Sequence, residues 1–193
     1  MEVDEIRVAK VANVLHQGIQ EQIELNAKAE SINLNKLLNN INQFQPCPQL
    51  LDKHLKQYVD VILDLYIKDG KKWITEVFYT FGKIVTSKKM LNFMKTDIEL
   101  IPTILSKIDQ SQDIHWHEEY LLLCWLSVLC LAPFKLDSLR KDAKQRIFTI
   151  GVQYLKTSGP LQPLGARLLA SLIMRSDCAT EFDKFMELLM EEY

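Results

Sequence analysis

Tyr120-Leu121-Leu122-Leu123-Cys124-Trp125-Leu126-Ser127-Val128-Leu129-Cys130-Leu131-Ala132-Pro133-Phe134 is the longest apolar run in the chain. Its 15 residues fall short of the roughly 20 that span a bilayer, so it predicts no membrane segment. Extended back to Glu118, the pattern predicts a helix over residues 118–131 that is apolar almost all round. A helix without a polar face must be covered on several sides by other elements. Pro133 ends it.

The flanking sequence supplies helices to do the covering. Residues 3–28 predict one long, rather polar helix with a narrow stripe of Val8, Val11, Leu15, Ile19 and Ile23. Ser31 to Phe44 repeats the pattern through Leu34, Leu37, Leu38 and Ile41, and Gln45-Pro46-Cys47-Pro48 breaks it. Leu51, Leu55, Val59, Ile62 and Tyr66 form one face of the next helix, which Gly70 stops in the left-handed conformation. Trp73, Val77, Phe78, Phe81, Ile84 and Val85 follow after so short a turn that the two helices must run antiparallel. A shorter pair is expected at 88–94 and 97–108, where Pro102 either kinks the second helix or sits at its start. Beyond the apolar helix, residues 135–146 open a helix closed by Gly159, and Pro160 or Pro163 starts another. Asp177 is the candidate cap of the last.

Helix pairs thus recur every 35–45 residues or so, the range of HEAT and armadillo units, with no strand-like alternation. The expectation is an all-α chain, an α-solenoid of HEAT/armadillo-like antiparallel helix pairs; a single closed helical bundle is the alternative. One solenoid segment is expected over 1–193, with a long amino-terminal helix in 1–30 and stacked pairs over 31–193.

Composition narrows the function classes. With 48% hydrophobic and 25% charged residues and a net charge of −2, the chain is neither disordered nor a linker. It lacks the basic excess of a nucleic-acid domain, so no nucleic-acid partner is expected. Six glycines and six prolines are too few for the turns of a β-sandwich or doubly wound α/β fold. The acidic start Met1-Glu2-Val3-Asp4-Glu5 fits neither a secretory signal nor a mitochondrial presequence. Cys47, Cys124, Cys130 and Cys178 form no C-x-x-C pair, and reduced, mostly buried thiols are the expected state.

The sequence offers little chemistry. His115-Trp116-His117-Glu118-Glu119 gathers metal-ligating residue types, but His-x-His on a helix places the rings about 200° apart, and no metal is expected. No phosphate-binding glycine loop occurs, and Cys124, Cys130 and Ser127 have no adjacent base, so no catalytic residue and no cofactor are assigned. Charge is uneven: residues 135–146 hold five cations against two carboxylates, and residues 177–193 six carboxylates against Lys184. Arg140, Lys141 and Lys144 are the candidate partner-binding residues, a basic ridge that would steer an acidic partner.

The run at 120–134 resembles the L-L-L-W-L-S-x-x-C-L-x-P-F signature of the tubulin-folding cofactor D family. Leu50-Leu51-Asp52-x-His54-Leu55 is similar to that family's L-L-D-x-H-L, and Ala166-Arg167-Leu168-Leu169-Ala170 with Arg175 and Asp177 to its A-R-L-L-A and R-x-D stretch. The resemblance covers roughly residues 44–178; one departure is Lys135, where the family usually carries Asp. It implies a HEAT/armadillo-type chaperone several times longer, of which this chain would be an amino-terminal fragment. It further implies capture of β-tubulin, and assembly or dismantling of the αβ-tubulin dimer with cofactors C and E and an Arf-like small GTPase. A cytoplasmic place is expected from the acidic start and the reduced thiols, a cytoskeleton-associated one follows from the resemblance, and no site residue is carried over from it. Trp125 and Phe134 are expected in the core. A generic transport-receptor-like adaptor, or an enzyme using the His115/His117 loop, are the competing readings.

Overall fold

A computed structural model describes residues 2–28, 33–109 and 115–192, which form ten α-helices and no strand. They gather into two compact units, Met1–Met94 and Lys95–Tyr193. No helix among the described residues is long and apolar enough to cross a membrane.

The first unit holds α1 (Glu2–Lys28), α2 (Leu34–Asn42), α3 (Asp52–Asp69), α4 (Lys72–Val85) and α5 (Ser87–Leu91). Asn33 caps α2, its side chain accepting from the Lys36 N–H at 3.2 Å; Ser31, where the sequence pattern begins, lies outside the described residues. Gly70 ends α3 at φ 59°, donating to the Tyr66 carbonyl, so that α4 folds back on α3. The fully buried Leu55, Val59, Ile62, Val77, Phe78 and Phe81 lie on these two helices.

The rotation of α1 differs from the expected stripe. Among its described side chains the buried ones are Ala12, His16, Ile19, Gln22, Ile23 and Asn26, while Val11 is 59% exposed; the side chain of Val8 lies outside the described ones. A buried histidine decides the difference. His16 Nδ1 lies 2.6 Å from the Tyr58 hydroxyl and its Nε2 3.1 Å from the Leu50 carbonyl, so Nε2–H donates and Nδ1 accepts, joining α1 to α3 and to the turn before it. An apolar count alone misses this polar anchor.

Burial, and then the His54 ring 4.0 Å away, hold the His16 pKa below 6.5, against the Leu50 carbonyl that acts to raise it. The unfolded chain therefore takes up this proton more readily than the folded one. The contribution of neutral His16 is complete above pH 6.5 and declines as pH falls below it. The drop in melting temperature between about pH 7.5 and about pH 5.5 is expected to shrink in His16→Gln, whose amide does not titrate. An equal drop in both proteins would contradict the anchor.

The second unit holds α6 (Leu100–Asp109), α7 (Trp116–Leu129), α8 (Ala143–Leu155), α9 (Gln162–Ile173) and α10 (Ala179–Glu192). Pro102 falls in the first turn of α6, where its missing N–H would have had no intrahelical partner, so it marks a start and no kink. The apolar helix α7 is covered by α6 and α9, and every side chain from Tyr120 to Ser127 is buried. Trp125 is 1% exposed, its Nε1–H donating to the Lys95 carbonyl at 2.8 Å. The expectation for Phe134 fails: it is 53% exposed and Leu131 58%, because both lie past the end of α7, in a loop that turns them outward.

Helices α8 and α9 approach closely at two glycines. A Cβ on Gly165 would stand 2.6 Å from the Leu155 backbone nitrogen and 2.7 Å from the Tyr154 carbonyl carbon. One on Gly151 would meet the Leu169 side chain at 2.6 Å. Backbone cannot yield as a rotamer can. Gly165→Ala is therefore expected to cost about 1–3 kcal/mol in a denaturant titration, and more than Gly151→Ala. The reverse order would contradict the packing.

Candidate partner-binding surface

The loop after α7 and the turn after α9 are tied together by one side chain. Arg175 Nη1 donates to the carbonyls of Cys130 and Ala132, each at 2.7 Å, and Nη2 donates to that of Phe134. Its Nε pairs with Asp177 Oδ1 at 2.9 Å. A loop that ends a helix leaves carbonyls without partners, and a guanidinium with five donors in a planar fork satisfies several at once. Burial acts to raise the Asp177 pKa, but the hydrogen bond and charge of Arg175, then Lys144, bring it below its usual 3.8. This use of Asp177 corrects its expected role as a cap: α10 begins at Ala179, and the carboxylate faces Arg175 and Lys144.

Above this knot lies an open groove of about 480 Å³ lined by residues 130–135, Ser171 and residues 174–177. Its apolar rim is Leu131, Phe134 and Met174, the last 82% exposed, and Lys135 on the same lining is exposed too. The residues that carry the P-F and R-x-D resemblance thus meet in space. Sequence reasoning missed the groove because hydrophobicity alone assigns Phe134 to the core.

The three basic candidates do not form a ridge on one helix. Arg140 and Lys141 precede α8, and Arg140 pairs with Asp142 at 2.6 Å and Asp109 at 3.5 Å, where Arg146 also pairs. Lys144 pairs with Asp137 at 3.0 Å and Asp177 at 3.6 Å, and donates to the Asp177 carbonyl. Lys141 is exposed. Arg140 and Lys144 therefore brace the unit from within.

The histidine pair differs from the helical geometry expected for it. His115 is the N-cap of α7, outside the helix, so its ring folds back and Nδ1 lies 3.0 Å from His117 Nδ1. The neighbouring carboxylates are engaged elsewhere: Glu119 accepts from the Tyr154 hydroxyl at 2.7 Å, and Glu118 lies 4.0 Å from Lys107. Among the described residues no group of three potential metal ligands occurs. The four cysteines are free; burial pushes the Cys124 and Cys130 thiols up to about 12 and Cys178 up to about 11, a poor state for a nucleophile. Ser127 is buried and donates to the Cys124 carbonyl.

A family model described as "Tubulin-specific chaperone D-like, ARM repeat" matches residues 41–193. Tubulin-folding cofactor D of Schizosaccharomyces pombe is 34% identical over 141 residues, covering 70% of this chain and 13% of that protein's length. No solved structure matches. The armadillo match and the strandless helix pairs establish the all-α, solenoid-type class over the single closed bundle.

Proposed function

Because the chain belongs to the tubulin-specific chaperone D-like family, we propose that it is a scaffold segment of a tubulin-folding chaperone. In this reading it holds β-tubulin, or the αβ-tubulin dimer, and works with cofactors C and E and an Arf-like small GTPase in assembling or dismantling that dimer. It acts in the cytoplasm, next to the cytoskeleton, by shape and charge and without covalent chemistry. The observation that carries the reading is the family match over residues 41–193. Inert, buried thiols are in keeping with it.

The basic candidates enter this reading with unequal weight. Lys141 is the exposed cation available for steering an acidic partner, whereas Arg140 and Lys144 also spend their charge on Asp109, Asp142, Asp137 and Asp177. Affinity capture with the chain as bait tests the function. Retention of β-tubulin together with the GTPase is the expected result, and enrichment of transport cargo in their place would contradict it and favour a generic adaptor.

A further inference from the structure

The groove beyond α7 and α9 has a chemistry of its own. Its volume of about 480 Å³ falls within the roughly 300–1,000 Å³ of ligand-sized sites. Leu131, Phe134 and Met174 are displayed to solvent by backbone that Arg175 holds in place through three carbonyls. Backbone fixed in this way need not be ordered on binding, so the cost of docking falls on the side chains alone.

The polar groups around them are one-sided. The carbonyls of Cys130, Ala132 and Phe134 already accept from Arg175. The Asp177 carboxylate is offset by Arg175 and Lys144, and Asp137 by Lys144. On the lining itself Arg175 and Asp177 offset each other, and with Lys135 the sum is a net positive charge, which favours an acidic partner. Lys135 is different. Its carbonyl accepts from the Ser138 N–H at 3.0 Å and hydroxyl at 2.6 Å, which fixes its backbone while its side chain stands exposed on the lining.

We propose that this groove docks an extended acidic segment of a partner protein. A large apolar side chain of that segment enters among Leu131, Phe134 and Met174, and a carboxylate beside it pairs with Lys135. The inference rests on the reading of the chain as a partner-holding scaffold, and does not require the partner to be tubulin.

Three fluorescein-labelled pentapeptides test it by anisotropy at low salt: phenylalanine between two glutamates, phenylalanine between two lysines, and serine between two glutamates. The first is expected to bind about five- to tenfold tighter than either other peptide. Lys135→Glu should abolish or invert the preference between the two charged peptides, and Phe134→Ser should weaken the first by about tenfold, with circular dichroism unchanged in both variants. Equal binding of the acidic and basic peptides, indifference to Lys135→Glu, or no saturable binding would overturn the proposal. So would sedimentation showing that the groove is closed by a second copy of the chain. Lost peptide binding with tubulin capture intact would count against the groove alone; intact peptide binding without tubulin capture would count against the tubulin reading alone.

Discussion

Trp125→Ala is expected to destabilise the second unit by about 3–5 kcal/mol, as large-to-small changes of buried aromatics do. The indole is 1% exposed on α7, which α6 and α9 cover, so its removal leaves a cavity between helices that cannot easily close. The Lys95 carbonyl also loses its donor. Against the 5–15 kcal/mol that holds a typical domain together, this is a large fraction. Trp125→Phe separates the two effects: it keeps most of the apolar contact, forfeits the hydrogen bond, and is expected to cost less. An unchanged denaturation midpoint in Trp125→Ala would contradict the placement of this helix at the centre of the unit.

Arg175→Ala should also be damaging, at about 2–3 kcal/mol, because it leaves three loop carbonyls and the part-buried Asp177 carboxylate without their donor. Arg175 has a side chain only 11% exposed, and it serves the Cys130, Ala132 and Phe134 carbonyls and Asp177 together. Arg175→Lys is expected to recover part of the loss, since one ammonium cannot reproduce the planar fork. The pH dependence has a definite sign. The Asp177 pKa lies below 3.8 in the fold, so the stabilisation from its pair is present above that value and is lost as pH falls through the folded pKa. The difference between wild type and Arg175→Ala should accordingly narrow in acid. Thermal melts with an unchanged midpoint in Arg175→Ala, or with a difference that widens in acid, would contradict this role.

Much of the fold was legible because its signals are local. The apolar run at 120–131 could only be a covered helix, Gly70 could only be a left-handed stop, and Pro102 had to sit at a helix start or kink it. The candidate surface was legible only in part, because its determinants join residues far apart in the chain. Arg175 meets carbonyls more than forty residues earlier, and Lys144 meets Asp177 thirty-three residues later. Neither periodicity nor local charge counting reports such pairs, so Arg140 and Lys144 read as a ridge when each is tied to carboxylates. Burial of apolar residues is a tendency with exceptions, and Phe134 and Met174 are exceptions placed together at a groove. His16 is the converse case: a polar residue inside, visible only once Tyr58 and Leu50 are seen to satisfy both ring nitrogens.

Direct titration of purified αβ-tubulin onto the immobilised chain tests the scaffold function most simply. Saturable binding that weakens as salt is raised is the expected result. No binding by a chain that circular dichroism shows to be folded would contradict it.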